Sequence, residues 1–192
     1  MSLLGTTNWR GYSLLSIDPG LTCTGWAVFR MNEGVRLSAC GKVRSEDFME
    51  TDESLPRRLA PILDAMCGVC NQHKPAVVVV EQPPQTIYKA KMLKKEMIIA
   101  KAQSVFKTFA VCAGLLAALR NLEKVQLVTT VLPVQWEYGK TKRGGLDVKA
   151  WSMKMANEII DLSGNTVSWL RTQEDQNVAD AITMGFLVAT SI

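Results

Sequence analysis

Two short apolar runs flank an Asp-Pro-Gly step near the start of the chain. Residues 13–18 (SLLSID) and 24–30 (TGWAVFR) predict two strands around a tight turn at Asp18-Pro19-Gly20, and 35–44 predicts a third. The acidic stretch EDFMETDE (46–53) predicts a solvated loop. From 54 to 73 the period changes: Leu59, Ile62, Leu63, Met66, Val69 and Cys70 recur at helical spacing, with Pro56 suited to the first turn. AVVVVE (76–81) is β-branched and apolar throughout, which predicts a central parallel strand covered on both faces. A long helix over 91–121 follows, then a strand over 125–132 ended by Pro133. Asp147 caps a predicted helix to about Leu162, 166–170 fits neither period, and 176–190 predicts a last helix.

The order β-β-β-α-β-α-β-α-α implies an α/β fold with a mixed sheet, a meander followed by βα units, and helices on both faces. The length of 192 residues suits one domain, read as 13–192 after a flexible leader over 1–12. No unbroken apolar run of about 20 residues appears, so no membrane span is expected. The start lacks a basic segment followed by an apolar one, so no secretory signal is expected either. Cys23, Cys40, Cys67, Cys70 and Cys112 are odd in number and show no disulfide framework, which favours reduced thiols and a cytoplasmic protein. CGVCNQH (67–73) offers half a zinc site, but no second ligand pair follows. Small apolar thiols on a core helix are the better reading. The net charge of +4 permits nucleic-acid binding without requiring it.

The candidate chemistry lies in carboxylates at element ends. Asp18 closes the first strand and Glu81 the fourth. If those strands are neighbours, two like charges meet at one sheet edge, a conflict that a hard divalent cation resolves. Asp180 and Asn177, three residues apart, lie about 60° apart around the last helix and share a face. Asp175 lies elsewhere on that helix and, with Glu174, is expected to cap it. Ala179, Ala181 and Gly185 are small enough to seat the helix close to the sheet. Taken singly, Asp18 reads as a turn former, Glu81 as a loop charge and Asp180 as a solvated helical residue. The case rests on all three converging.

Three motifs carry a resemblance. IDPGLTCTGWAV resembles the first-strand motif of the RuvC-like Holliday-junction resolvases, in the ribonuclease H-like superfamily. VVVVEQ resembles the glutamate strand of that family, and NVADAITMG its last helix, whose pattern is D-x-x-D-A. The likeness runs from about 13 to 190, and the compact size suggests a phage- or virus-type member acting in the host cytoplasm. It implies a five-stranded ribonuclease H-like sheet and a homodimeric endonuclease that cuts four-way or branched DNA into paired nicks. It also implies two Mg²⁺ ions per site, with Mn²⁺ as a substitute, and 5′-phosphate and 3′-hydroxyl products. Asp18 would serve both ions, with Glu81 and Asp180 at one each.

Asn177 stands where the family has its fourth carboxylate. Three accounts are open: the natural protein works with Asn, Asp175 substitutes, or an Asp→Asn change disables the site. EQPPQ (81–85) carries two prolines where bacterial members place an aromatic wedge, and Tyr88 is the nearest aromatic. Lys89, Lys91, Lys94 and Lys95 form one basic cluster, and Lys140, Lys142, Arg143 and Lys149 a second around Gly144-Gly145. Both suit DNA phosphates, although a solvated basic face explains each lysine alone. The helix over 97–119 is apolar almost all round, more than one core face requires, and is read as the dimer interface. The rival readings are a YqgF-like RNA nuclease of the same fold, an actin-like kinase, for which the chain is too short, and a non-catalytic junction-binding protein.

Overall fold

The computed structural model describes residues 9–45, 55–83, 95–133, 148–164 and 175–191, with the backbone alone at 56, 95–101 and 148. The described elements are β1 (Ser13–Asp18), β2 (Cys23–Met31), β3 (Val35–Arg44), α1 (Leu55–His73), β4 (Val77–Glu81), α2 (Lys95–Arg120), β5 (Leu127–Val131), α3 (Val148–Leu162) and α4 (Gln176–Thr190). Their order matches the expectation from the hydrophobic pattern, and their bounds lie within a few residues of it.

The strands form one mixed sheet in the order β3-β2-β1-β4-β5. β1 and β2 pair antiparallel, as do β2 and β3, whereas β4 runs parallel to both β1 and β5. The period-2 alternation sends neighbouring side chains to opposite faces. On one face Leu14, Ala27, Phe29, Val77 and Val79 pack against Ile159 and Ile160 of α3 and Ile182, Met184 and Val188 of α4. On the other, Leu15, Ile17, Val28, Val78 and Val80 pack against Ile62 and Met66 of α1 and Val111, Leu115 and Leu119 of α2. Two covered faces are why the four valines of β4 form an unbroken apolar run.

Helix α2 packs on α1, β4 and β5 through one stripe, in which Val111, Cys112, Leu115 and Leu119 are buried. The segment Ala102–Arg120 is nonetheless long and apolar enough to cross a bilayer by length and composition, and little of it is buried. It is not an unbroken apolar run, since Gln103, Ser104 and Lys107 interrupt it without much lowering its average.

The register of β2 and β3 shifts between Val28 and Phe29, which pair with Ala39 and Leu37 and leave Ser38 as the extra residue of a bulge. The shift keeps Leu37 and Cys40 on the α4 face and puts Ala39 with the α1–α2 layer.

Candidate active site

The parallel register of β1 and β4 decides the first half of the site. Leu14 lies beside Val77, Ser16 beside Val79 and Ile17 beside Val80. One further step brings Asp18 alongside Glu81, on neighbouring backbones about 4.8 Å apart. By alternation both carboxylates project to the face covered by α4, and both residues are half-buried.

The second half depends on how closely α4 sits. Gly25 is the β2 partner of Asp18. A Cβ at Gly25 would collide with the backbone of Asn177, and one at Gly185 with Ser16 and Phe29. Ser16 Oγ donates a hydrogen bond of 2.6 Å to the carbonyl of Ala181, tying the middle of α4 to β1. Ala179 and Ala181 are fully buried, as their small size predicted. The first turn of α4 therefore rests directly over the Asp18–Gly25 pair.

Asn177 Nδ2 donates to the carbonyl of Cys23 at 2.7 Å, just after the turn that follows Asp18. Asp180 lies one turn further along. Its Oδ1 accepts a hydrogen bond from Ser152 Oγ on α3 and another, of 3.1 Å, from Gln176 Nε2. Among the described residues, no three Asp, Glu, His or Cys side chains stand together as a group that could hold a metal ion. The structure brings Asp18 and Glu81 side by side on the sheet, and it leaves Asp180 apart from them on the overlying helix, so the expected convergence of all three is not met.

Asp175 occupies the N-cap position of α4 but makes no side-chain cap hydrogen bond. Its Oδ1 instead accepts from Lys42 Nζ of β3 at 3.0 Å, which corrects the expected capping role. Lys42 is the cross-strand partner of Gly25, so one row across the sheet reads Lys42, Gly25, Asp18 and, by extension, Glu81. A cation in the same row as two carboxylates and Asp175 offsets part of their mutual repulsion.

Cys23 lies in the same neighbourhood. Burial raises its thiol above the ordinary value, opposed by Lys42 and Arg44 and reinforced by Asp18 and Asp175. Cys67 and Cys70 lie on α1, and burial pushes the Cys70 thiol up to about 12.

Of the expected DNA-binding residues, Lys149 is exposed on the first turn of α3, three residues before Ser152. Lys95 begins α2, where only the backbone is described. Tyr88, Lys89, Lys91, Lys94, Lys140, Lys142 and Arg143 lie outside the described residues. A cleft lined by Arg30, Arg36, Leu37 and Ser163 opens at the β2–β3 hairpin, at the opposite end of the strands from Asp18.

Ser152, Gln176 and Lys42 were not singled out from the sequence. Ser152 did leave a signal: it precedes Ala156 and Ile159 at helical spacing on the buried side of α3. A serine inside such a stripe needs a buried partner.

The family profile described as Crossover junction endodeoxyribonuclease RuvC matches residues 14–129. This chain belongs to the RuvC family. The matched span includes Asp18 and Glu81 and ends before α3 and α4. The RuvC of Zymomonas mobilis is 41% identical over 70 residues, 35% of this chain and 39% of that protein. The RuvC of Bradyrhizobium diazoefficiens is 42% identical over 71 residues, 36% of this chain and 38% of that protein. These alignments span about two fifths of the relatives' own length. Thermus thermophilus RuvC superposes with a TM-score of 0.59 at 22% identity, over 91% of each chain. The yeast mitochondrial Holliday junction resolvase gives a TM-score of 0.59 at 14% identity, over 97% of this chain and 83% of that one. At these identities the likeness is one of fold, and it carries the RuvC architecture through α3 and α4, past the end of the profile match.

Proposed function

We propose that this chain is an endodeoxyribonuclease that resolves four-way or branched DNA junctions by divalent-cation-dependent phosphodiester hydrolysis. The observation that carries this reading is the β1–β4 register, which sets Asp18 beside Glu81 under the N-terminal turn of α4 in a RuvC fold. Two adjacent carboxylates in a half-buried position repel and lose solvation. Oxygen-only donors of this kind fit Mg²⁺, and Mn²⁺ in its place. The reading assigns two ions to Asp18, Glu81, Asp180 and the neutral amide oxygen of Asn177. Such ions supply Lewis-acid activation of the phosphate and a nucleophilic water near neutral pH.

The side chains of this chain do the rest. The Asn177 amide is anchored through Nδ2, which directs Oδ1 away from the Cys23 carbonyl. Lys42 keeps positive charge in the carboxylate row. In this reading Lys149, exposed one turn from the Ser152–Asp180 contact, meets a phosphate on the approaching strand. Lys89, Lys91, Lys94, Lys95, Lys140, Lys142 and Arg143 extend that contact along the backbone and make affinity salt-dependent. Tyr88 is assigned to stacking at the branch point.

A four-way junction has two-fold symmetry, and two matched nicks call for two matched sites, so the working form is a homodimer. Phe106, Ala113 and Ala117 lie exposed on α2 at heptad-like spacing, on the side away from its buried stripe, and supply a surface for a second copy. A DNA substrate and free cysteines suit the cytoplasm.

The deciding experiment is gel analysis of an end-labelled four-way junction with Mg²⁺ or Mn²⁺, beside linear duplex and structured RNA. Paired symmetric nicks in the junction, abolished in Asp18→Asn and Glu81→Gln, are the expected result. Cleavage of RNA alone would assign an RNA nuclease. Tight junction binding with no cation-stimulated nicking would assign a non-catalytic binding protein.

A further inference from the structure

Asp180 is held by donors from two helices. Ser152 is fully buried in α3, and its hydroxyl donates to Asp180 Oδ1. A serine hydroxyl has a single proton, so this contact fixes its direction and leaves none for bonding back to its own helix. Gln176 Nε2, one turn before Asp180, donates to the same oxygen at 3.1 Å. The backbone of Ser152 is itself fixed from α4: Thr183 Oγ1, also fully buried, donates to the Ser152 carbonyl at 3.2 Å. Thr183 lies three residues beyond Asp180, on the same side of α4. The result is a closed link between α3 and α4 in which the donor cannot move independently of the carboxylate it holds.

We propose that Ser152, assisted by Gln176, is a positioning residue that sets the orientation of Asp180 for cation binding. The inference rests on the reading of Asp180 as a cation ligand. A hydroxyl that served helix packing alone would be replaced by alanine without consequence for any ion. Two donors on one carboxylate oxygen fix the torsion of the side chain, restricting where its other oxygen points. Partners of this kind behind a ligating carboxylate tune cation affinity by about 10-fold or more when removed.

The test measures Mn²⁺ binding directly, by electron paramagnetic resonance of the free ion, without DNA, in the full chain and in Ser152→Ala, Gln176→Ala and Asp180→Asn. Circular dichroism melting without cation checks folding. The expected result is Mn²⁺ affinity lowered about 10-fold in Ser152→Ala and several-fold in Gln176→Ala. The Mg²⁺ concentration for half-maximal nicking should rise in parallel. Because Gln176 is half-buried at the start of its helix, its variant decides the matter if Ser152→Ala fails to fold. Unchanged or tighter Mn²⁺ binding in the folded variants would overturn the proposal. If Asp180→Asn alone lost affinity, the carboxylate reading would stand and only the positioning role would fall. If the unaltered chain bound no Mn²⁺, both would fall together.

Discussion

Asn177 shows how one atom changes the reading of a site. The family pattern has a carboxylate here, and a disabling Asp→Asn change was one account of the departure. The amide, however, has a use that a carboxylate lacks: Nδ2 donates to the Cys23 carbonyl at 2.7 Å and ties α4 to the turn after Asp18. Asp at 177 would lose that donor and set a charged oxygen against a carbonyl. Asn177→Asp should therefore melt lower without divalent cation, by about 1–2 kcal/mol, and should nick no faster than the parent chain. A clearly faster aspartate variant in the junction assay would restore the disabled-site account. The cysteines make a second prediction at this scale. Burial pushes Cys40 and Cys112 up to about 11 and Cys70 up to about 12, above an ordinary value of 9.0. A raised acid binds its proton longer in the folded state than in the unfolded one. Its contribution to stability is whole below about pH 9 and fades as pH rises towards 11–12. Chemical denaturation midpoints should fall across that window, and less steeply in Cys70→Ala.

The helix α4 depends on contacts made by small residues. Gly185 lies against Ser16 and Phe29, and Gly25 against the backbone of Asn177, with no room for a Cβ at either. Gly185→Ala must push α4 away from β1 and strain the Ser16–Ala181 hydrogen bond, at a cost of about 1–3 kcal/mol. Nicking should fall with stability, since the same helix carries Asn177 and Asp180; thermal melting beside the junction assay measures both. The approach at Gly185 was legible in the sequence, because Ala179, Ala181 and Gly185 are small; the one at Gly25 was not, since it depends on which residue of β2 faces α4. The nine elements were legible for a related reason: their apolar periods are long and rarely interrupted. The Lys42–Asp175 pair was not, since an aspartate before a helix satisfies the rule for a cap whether or not it caps. Only the pairing of β3 with β2, which brings Lys42 across from Gly25, shows where that carboxylate goes. The Ser38 bulge was hidden too: one extra residue inverts the alternation, but Ser38, Ala39, Cys40 and Gly41 are too small and too alike in polarity to display the inversion. Ser152 acquires its partner only when α3 and α4 pack.

For the molecule as a whole, α2 has more apolar surface than its domain uses. Its inner stripe, from Val111 to Leu119, completes the core beneath β4 and β5. Its outer side leaves Phe106 67% exposed. Two chemistries can cover such a face: a second copy of the chain, or lipid, for which Ala102–Arg120 has the length. The inner stripe argues against lipid, because insertion would strip α2 from the sheet and bare Leu115 and Leu119, both fully buried, on the remaining domain. A second copy covers the outer side without disturbing the inner one, and the alanines at 113 and 117 permit close helix approach. Phe106→Glu should therefore separate the dimer while leaving the fold intact. Losing a central aromatic contact costs about 2 kcal/mol or more, and a like charge facing its symmetry mate adds to that. The dimer dissociation constant should rise at least about 30-fold. Sedimentation equilibrium at micromolar concentration should show a dimer for the parent chain and a monomer for Phe106→Glu, with matching circular dichroism spectra. The separated variant should still bind a four-way junction but nick one strand at a time, because the two cuts no longer share a complex. A parent chain that sediments as a monomer would remove the basis for pairing through α2. A variant that stays dimeric would move the interface elsewhere on the molecule.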